Sequence, residues 1–309
     1  MIITVCLNPA LDKTISVDCL SVGGVNRIAA SRLDPGGKAI NVSKIVRILG
    51  GETLAIGVIG GESGAYIRSR MDAMGIPHDF VEVEAPTRTN YKIADRVLHQ
   101  ITECNEIGSP VSEETLREVW ERISRAVKPG DAVVFAGKNP PGMANDRLAQ
   151  WISALKSRGV FTALDTVGEP MRLGIQAHPD VIKPNQSELS ELFGEPLHYI
   201  RDIFVASRQI VQQGVESVVV SLGSEGALFV THDEILRGYG LNVPVGSTVG
   251  SGDAMLAAVV YYLQQGCSWT ETARRSIATS AANVMQDGTQ PPTLSQIEEL
   301  VDRVQIEKM

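Results

Sequence analysis

Short apolar runs alternate along this chain with segments whose apolar positions recur every three to four residues. The runs at 2–7, 54–59, 132–136, 160–164 and 217–222 have the length and β-branched content of buried strands. The segment 38–49 places Val42, Ile45, Val46 and Leu49 on one helical face, and Gly50-Gly51 then supplies a stop. Parallel strands need crossover connections, and helices provide them. The alternation therefore predicts an α/β fold: a mostly parallel central sheet with helices on both faces.

Two stretches depart from this rhythm. Residues 13–34 and 87–104 lack helical periodicity and read as hairpins. The first runs from Thr14 to Val17, turns near Gly23-Gly24 and returns from Asn26 to Leu33; the second joins Thr89–Val97 to Leu98–Glu103. A few antiparallel strands bury little core alone, so they must cover the main sheet or pair with another chain. With no repeat, low-complexity segment or long linker, the expectation is one domain over 1–309 that carries a small β-sheet lid.

Composition narrows the function classes. The 309 residues are 43% hydrophobic with mean hydropathy near zero, as in a soluble globular protein. A net charge of −8 and a pI near 5.2 argue against a nucleic-acid partner. They leave an anionic small-molecule substrate open, because a local Lys and Arg cluster can sit on an acidic protein. Cys6, Cys19, Cys104 and Cys267 show no metal-ligand spacing, and Cys6 reads as a buried thiol in a reducing cytoplasm. The N-terminus lacks the basic region of a signal peptide, and no apolar stretch approaches the ~18 residues of a membrane span. A cytoplasmic protein with no membrane contact is expected.

In open parallel sheets, ligands bind beyond the carboxyl ends of the strands. Four such junctions carry candidate chemistry. Gly250-Ser251-Gly252-Asp253 precedes an apolar helix pattern. Converging N–H groups and the helix dipole would hold phosphate oxygens there, and Asp253 would accept a proton; an ordinary helix cap reads equally from these residues. It is no Walker A loop, since the Gly-Lys-Ser/Thr ending is missing. Gly36-Gly37-Lys38 opens a helix bearing Asn41, fit for a sugar and its phosphate, or a plain turn with a solvated lysine. Asn185 and Glu188, three apart on one helical face, would orient water around Mg²⁺ or simply cap their helix. Ser221 to Gly226, with two glycines, suits backbone approach to a nucleotide, or a plain turn.

Together and in this order, these motifs resemble the ribokinase / phosphofructokinase-B carbohydrate kinase family. The likeness extends over essentially the whole chain. It is strongest to the branch containing the 1-phosphofructokinases and tagatose-6-phosphate kinases. Thr4 to Asp12, Val25-Asn26-Arg27, Gly36 to Val42, Thr87 to Ile93 and Lys183-Pro184-Asn185 carry it. The resemblance implies a ribokinase-like three-layer sandwich with a β lid. It implies ATP and Mg²⁺ as cofactors and phosphoryl transfer to a phosphorylated hexose, fructose 1-phosphate first and tagatose 6-phosphate as the alternative. Asp253 would be the base, with Gly250, Ser251 and Gly252 forming the anion hole. Asp12, Gly36, Gly37, Asn41 and Asn90 would hold the sugar, and Lys38 and Arg88 the phosphate already on it. Arg27 would assist, from a partner subunit in a homodimer clasped through the lids. Lys183, Asn185, Ser221, Gly223, Gly226 and Asn283 would line the nucleotide cleft, and Asn185 and Glu188 would serve Mg²⁺ through water.

Departures bear on the substrate. Ala39 replaces the branch's usual Gly, and Cys104 interrupts the usual run at 102–106. Lys138-Asn139 puts a bulky cation near the sugar. Ser251 stands where 1-phosphofructokinases usually have Ala and tagatose enzymes often have Ser. Two rivals remain. A non-catalytic sugar-phosphate sensor would need no base between the glycines. A dinucleotide oxidoreductase would want a glycine-rich turn after the first strand, where Asn8-Pro9-Ala10 stands instead.

Overall fold

The computed structural model describes residues 1–98 and 100–309; His99, inside the strand expected at 98–103, lies outside them. The chain begins with β1 (Ile2–Cys6), β2 (Ala10–Val17), β3 (Ala30–Gly36), α1 (Lys38–Ile48), β4 (Thr53–Gly60), α2 (Gly61–Ala73) and β5 (His78–Val83). Next come β6 (Arg88–Asp95), β7 (Gln100–Asn105), α3 (Glu113–Ala126), β8 (Ala132–Ala136), α4 (Arg147–Lys156), β9 (Phe161–Asp165), α5 (Glu169–Ile175) and β10 (Val181–Ile182). It ends with α6 (Gln186–Phe193), α7 (Ile200–Gln212), β11 (Ser217–Ser221), β12 (Gly226–Thr231), β13 (Ile235–Tyr239), α8 (Ser251–Gln264), α9 (Trp269–Val284), α10 (Leu294–Val301) and β14 (Ile306–Lys308).

Ten strands form the large sheet in the order β14-β13-β12-β11-β10-β9-β8-β1-β4-β5. The seven from β11 to β5 run parallel, as the apolar runs predict, and β12, β13 and β14 extend one end antiparallel. Both faces of β1 are buried. Ile3 and Val5 meet the side covered by α3, α4 and α7, and Ile2 meets the side covered by α1, α8 and α9. This double burial explains why the parallel strands read as continuous apolar runs rather than as alternating ones.

Four strands form the second sheet, in the order β3-β2-β6-β7. β2 pairs antiparallel with β3, β6 with β7, and the central β2 and β6 run parallel to each other. The first hairpin is longer in its loop than the sequence suggests: residues 26–29 carry no strand, and β3 begins at Ala30. Asn26 instead closes the loop locally, accepting from Ser21 N at 2.7 Å and donating to Ser21 O at 2.9 Å.

From β1 the chain moves outward through β4 and β5, then returns to β8 on the other flank. That reversal opens a crevice beyond the carboxyl ends of β1 and β8, where open α/β sheets bind ligands. The small sheet faces this crevice.

Candidate active site

Three neighbouring strands of the large sheet deliver polar groups at their carboxyl ends. β9 ends on Asp165, β10 is followed by Lys183, and β11 ends on Ser221. α1 starts after Gly37, whose φ of 103° is a left-handed conformation suited to glycine, and its first residue is Lys38. α8 starts after Gly250, φ 82°, so Ser251, Gly252 and Asp253 form its first turn. The N–H groups of that turn have no intrahelical acceptors and carry the positive end of the dipole.

These ends converge on a cavity of ≈ 400 Å³. Asp12, Gly37, Lys38, Asn41, Arg88, Asn90, Lys183, Asn185, Glu188, Ser221, Gly250, Ser251, Gly252 and Asp253 line it, with Lys92, Glu103, Asn105 and Asp165. A second cavity of ≈ 320 Å³ shares Gly37, Lys38, Arg88, Asn90 and Asn105 and extends past Asn8 to Gly137, Lys138 and Asn139. A third, ≈ 430 Å³, is walled by Gly223, Gly226, Leu241, Val243, Thr248, Ser251, Met255, Ile277 and Ala281. Ser251 belongs to both the first and the third, so the α8 N-terminus stands between a polar chamber and an apolar cleft.

Asp253 is buried, and Asn41 Nδ2 donates to its Oδ2 at 2.8 Å. Burial lifts its carboxyl pKa to about 6, against the pull of Lys38 and with a further push from Asp165. A carboxylate near that value is ionised at neutral pH yet basic enough to take a proton from a hydroxyl. Asp165 is fully buried between two lysines, with Lys38 Nζ at 2.7 Å from Oδ1 and Lys183 Nζ at 3.2 Å from Oδ2. Burial alone would raise its pKa, but Lys183 and Lys38 outweigh that and hold it below the usual carboxylate value. Burial would likewise lower the Lys38 pKa; Asp165, Asp253 and Glu188 hold it above the ordinary lysine value. The site thus keeps two fixed cations beside the helix N-terminus, with Lys183 close enough that a Cβ at Gly252 would stand 3.2 Å from Nζ.

On the small sheet, Asp12 is buried and accepts from Asn90 Nδ2 at 3.0 Å and from Lys92 Nζ at 2.7 Å. Gly36 is not on the cavity wall but makes room for Asp12: a Cβ there would lie 2.4 Å from the carboxylate carbon. The Arg88 guanidinium is braced by Asn8 O, Asn90 Oδ1 and Glu106 O at 2.8–3.3 Å. Asn185 and Glu188 form a reciprocal cap of α6, each side chain accepting from the other's backbone N–H at 2.8 Å. Glu188 Oε1 remains 3.7 Å from Lys38 Nζ. The two readings of this pair coexist: it caps the helix and still presents oxygen to the cavity.

Besides Gly36, two predicted residues stand apart. Arg27 is exposed in the 18–29 loop and lines none of these cavities. Asn283 is buried behind the α8 turn, donating to Val249 O at 3.3 Å, and is not on the apolar cleft. Asp165 and Lys92 escaped the sequence reading. Asp165 had a signal, a charge directly after the apolar run 160–164; Lys92 shares a strand face with Asn90.

The chain is similar to known proteins along nearly its whole length. The family model for pfkB family carbohydrate kinases matches residues 7–296. A 1-phosphofructokinase from Rhodobacter capsulatus is 32% identical over 309 residues, spanning 100% of this chain and 98% of its own. The structure of phosphofructokinase-2 from Escherichia coli in complex with substrates and products superposes with a TM-score of 0.94 at 30% identity, over 98% of each chain. A ribokinase from Thermotoga maritima, 21% identical, shares the fold with a TM-score of 0.79 over 98% of this chain and 99% of its own. With a family match over nearly its whole length and a buried carboxylate, two lysines and a helix terminus around one chamber, the chain belongs to the pfkB family of carbohydrate kinases.

Proposed function

We propose that this chain transfers the γ-phosphoryl group of ATP to the free primary hydroxyl of fructose 1-phosphate, giving fructose 1,6-bisphosphate and ADP. One observation carries the reaction type: buried Asp253 lies in the first turn of α8, and Ser251 of that turn walls both the polar chamber and the apolar cleft. A hydroxyl in the chamber and a triphosphate reaching from the cleft would meet at that turn. Asp253 takes the hydroxyl proton as the new O–P bond forms and the bond to ADP breaks. The N–H groups of residues 250–252, with Lys38 and Lys183, stabilise the charge on the transferring group. Curated relatives named 1-phosphofructokinase support the choice of sugar.

Among the described residues, no three acidic, Cys or His side chains form a metal cluster. Mg²⁺ fits this, because it keeps several waters and draws ligands from substrate phosphates. Glu188 and Asn185 would hold it through water, where it would neutralise charge on the triphosphate. In this reading 1–309 is one kinase domain, cytoplasmic, and the small sheet is its lid, which excludes water as a competing acceptor. Asp12 and Asn90 hold sugar hydroxyls.

Arg88 meets the phosphate already on the sugar from the wall common to both polar cavities, and Lys138 joins it, whereas Asp165 holds the Lys38 ammonium toward the transferring group. Lys138 is exposed on the second cavity, and among the described residues no hydrogen bond or ion pair engages its ammonium. Lys138→Ala should raise KM for fructose 1-phosphate by about 10-fold with little change in kcat, the expected cost of one charged hydrogen bond. Initial rates check this, and an unmoved KM removes Lys138 from the subsite. Rates with fructose 1-phosphate, fructose 6-phosphate, tagatose 6-phosphate, fructose and nucleosides test the substrate; a higher kcat/KM for any of the others overturns it. Ser251, a pointer toward tagatose enzymes, turns its hydroxyl onto Thr248 O at 2.9 Å and gives no selecting contact.

A homodimer through the outer face of the small sheet belongs to the same proposal. β7 is exposed along its length, and Val22, Val25 and Ile28 stand out from the 18–29 loop beside Arg27. Exposed apolar side chains clustered in this way mark an interaction surface. Sedimentation equilibrium at assay concentrations should give twice the chain mass; a monomer sinks the dimer.

A further inference from the structure

Lys44 is a buried cation that the chemistry above does not use. It lies on α1, 4% exposed, one turn beyond Asn41 and therefore on the same helical face. Its ammonium donates to Pro35 O at 2.5 Å, to Asn41 Oδ1 at 3.2 Å and to Thr289 O at 3.2 Å. Three N–H groups meet three acceptors, so the group is fully used.

An ammonium can only donate. The Asn41 amide must therefore turn its oxygen to Lys44 and its NH₂ the other way, and that NH₂ donates to Asp253 Oδ2 at 2.8 Å. The reversed amide would set donor against donor at Lys44 and acceptor against acceptor at Asp253. We propose that Lys44 is a positioning residue for the catalytic base, fixing the Asn41 amide in the one orientation that holds Asp253 Oδ2 and leaves Oδ1 to receive the acceptor proton. This rests on Asp253 being the base.

Holding the cation there is costly. Burial pushes the Lys44 pKa down to about 8, against the attraction of Asp12, Asp34 and Asp253 and with the repulsion of Lys92. Because the folded value lies below the unfolded one, the charged lysine lowers stability at neutral pH, and stability returns as pH rises from about 8 toward 10.5. The groups facing Lys44 are Asp12 on β2, Asp34 on β3, Lys92 on β6 and Asp253 on α8. Asp253 itself is faced by Lys38, Asp165 and Lys183. A methyl-ended chain would fill the same space without the charge. Lys44 also joins the end of β3 to the segment after α9, so the orientation of the base is set from two sides of the site.

The test is a double-mutant cycle on the full chain, with Lys44→Met, Asn41→Ala and both together, assayed with ATP and fructose 1-phosphate. Lys44→Met should lower kcat by about 10-fold and leave both KM values within about twofold, as expected for a misaligned base. The acid limb of its kcat profile should move to higher pH, because a positive charge near Asp253 is gone. In the Asn41→Ala background the same change should cost less than about twofold, since the two residues act as one unit. Equal losses in both backgrounds, an unmoved acid limb, or an unchanged kcat overturns the proposal. If Lys44→Met does not fold, Lys44→Gln replaces it in the cycle; its amide can accept as well as donate, so additivity there again overturns the proposal. Asp253→Asn serves as the control. An active Asp253→Asn removes the base reading itself, whereas additivity in the cycle removes only the role of Lys44.

Discussion

Asp253→Asn should lower kcat by about a thousand-fold, within the range for loss of a general base, and leave KM for ATP nearly unchanged. Asparagine has the same shape and can still accept from Asn41, but it cannot take a proton. The same substitution should raise the melting temperature. The carboxylate is buried and its pKa is lifted to about 6, so its charge lowers stability at neutral pH. Lost turnover with gained stability is a pairing that general damage would not produce. In the unaltered protein kcat should fall about 10-fold per pH unit below about 6, where the base is protonated, and level off above it. A steady-state pH profile and a thermal melt check both halves. Retained turnover in Asp253→Asn places the base elsewhere.

The second large effect is expected at Asp165, with the opposite sign on stability. Asp165→Asn leaves Lys38 and Lys183 facing a neutral group, and Lys183 is only 3% exposed. Breaking a buried ion pair by removing one partner costs about 3–5 kcal/mol, because the remaining charge stays desolvated. Urea unfolding should show a loss near the low end of that range, since the Lys38 side chain is 33% exposed. kcat should fall with it, because both cations lose the anchor that aims them at the transferring phosphoryl group. The pH dependence follows from the depressed pKa of Asp165. Its contribution is present above its unfolded value of about 4 and is lost as pH falls through the lower folded value. The unaltered protein should therefore lose on acidification a stability component that Asp165→Asn lacks. An unchanged urea midpoint would show that the lysines do not depend on this carboxylate.

The contrast between these two aspartates shows where sequence reading succeeds and where it stops. Gly250-Ser251-Gly252-Asp253 before an apolar helix is legible because a helix N-terminus is a local event: φ, dipole and free N–H groups all arise within one turn. The parallel strands are legible for a similar reason, since burial on both faces makes their runs continuously apolar. So is the Gly36-Gly37-Lys38 entry to α1. The ordered set of such local signals carried the family resemblance.

Asp165, Lys92 and Lys44 acquire their roles only from partners distant in the chain. Lys38 meets Asp165 across 127 positions, Lys92 meets Asp12 across 80, and Lys44 meets Thr289 across 245. No periodicity encodes such pairings, because they depend on which strand lies beside which. The same holds for Arg27, whose loop the fold leaves outside every cavity described above, and for Asn283, which the fold sets behind the first turn of α8. By itself the sequence determined that buried apolar strands alternate with helices and that a helix-opening turn bears Asp253, because each depends on patterns within a few residues. Only the tertiary structure decided which charges surround Asp253, because burial and Coulomb interaction depend on distance in space.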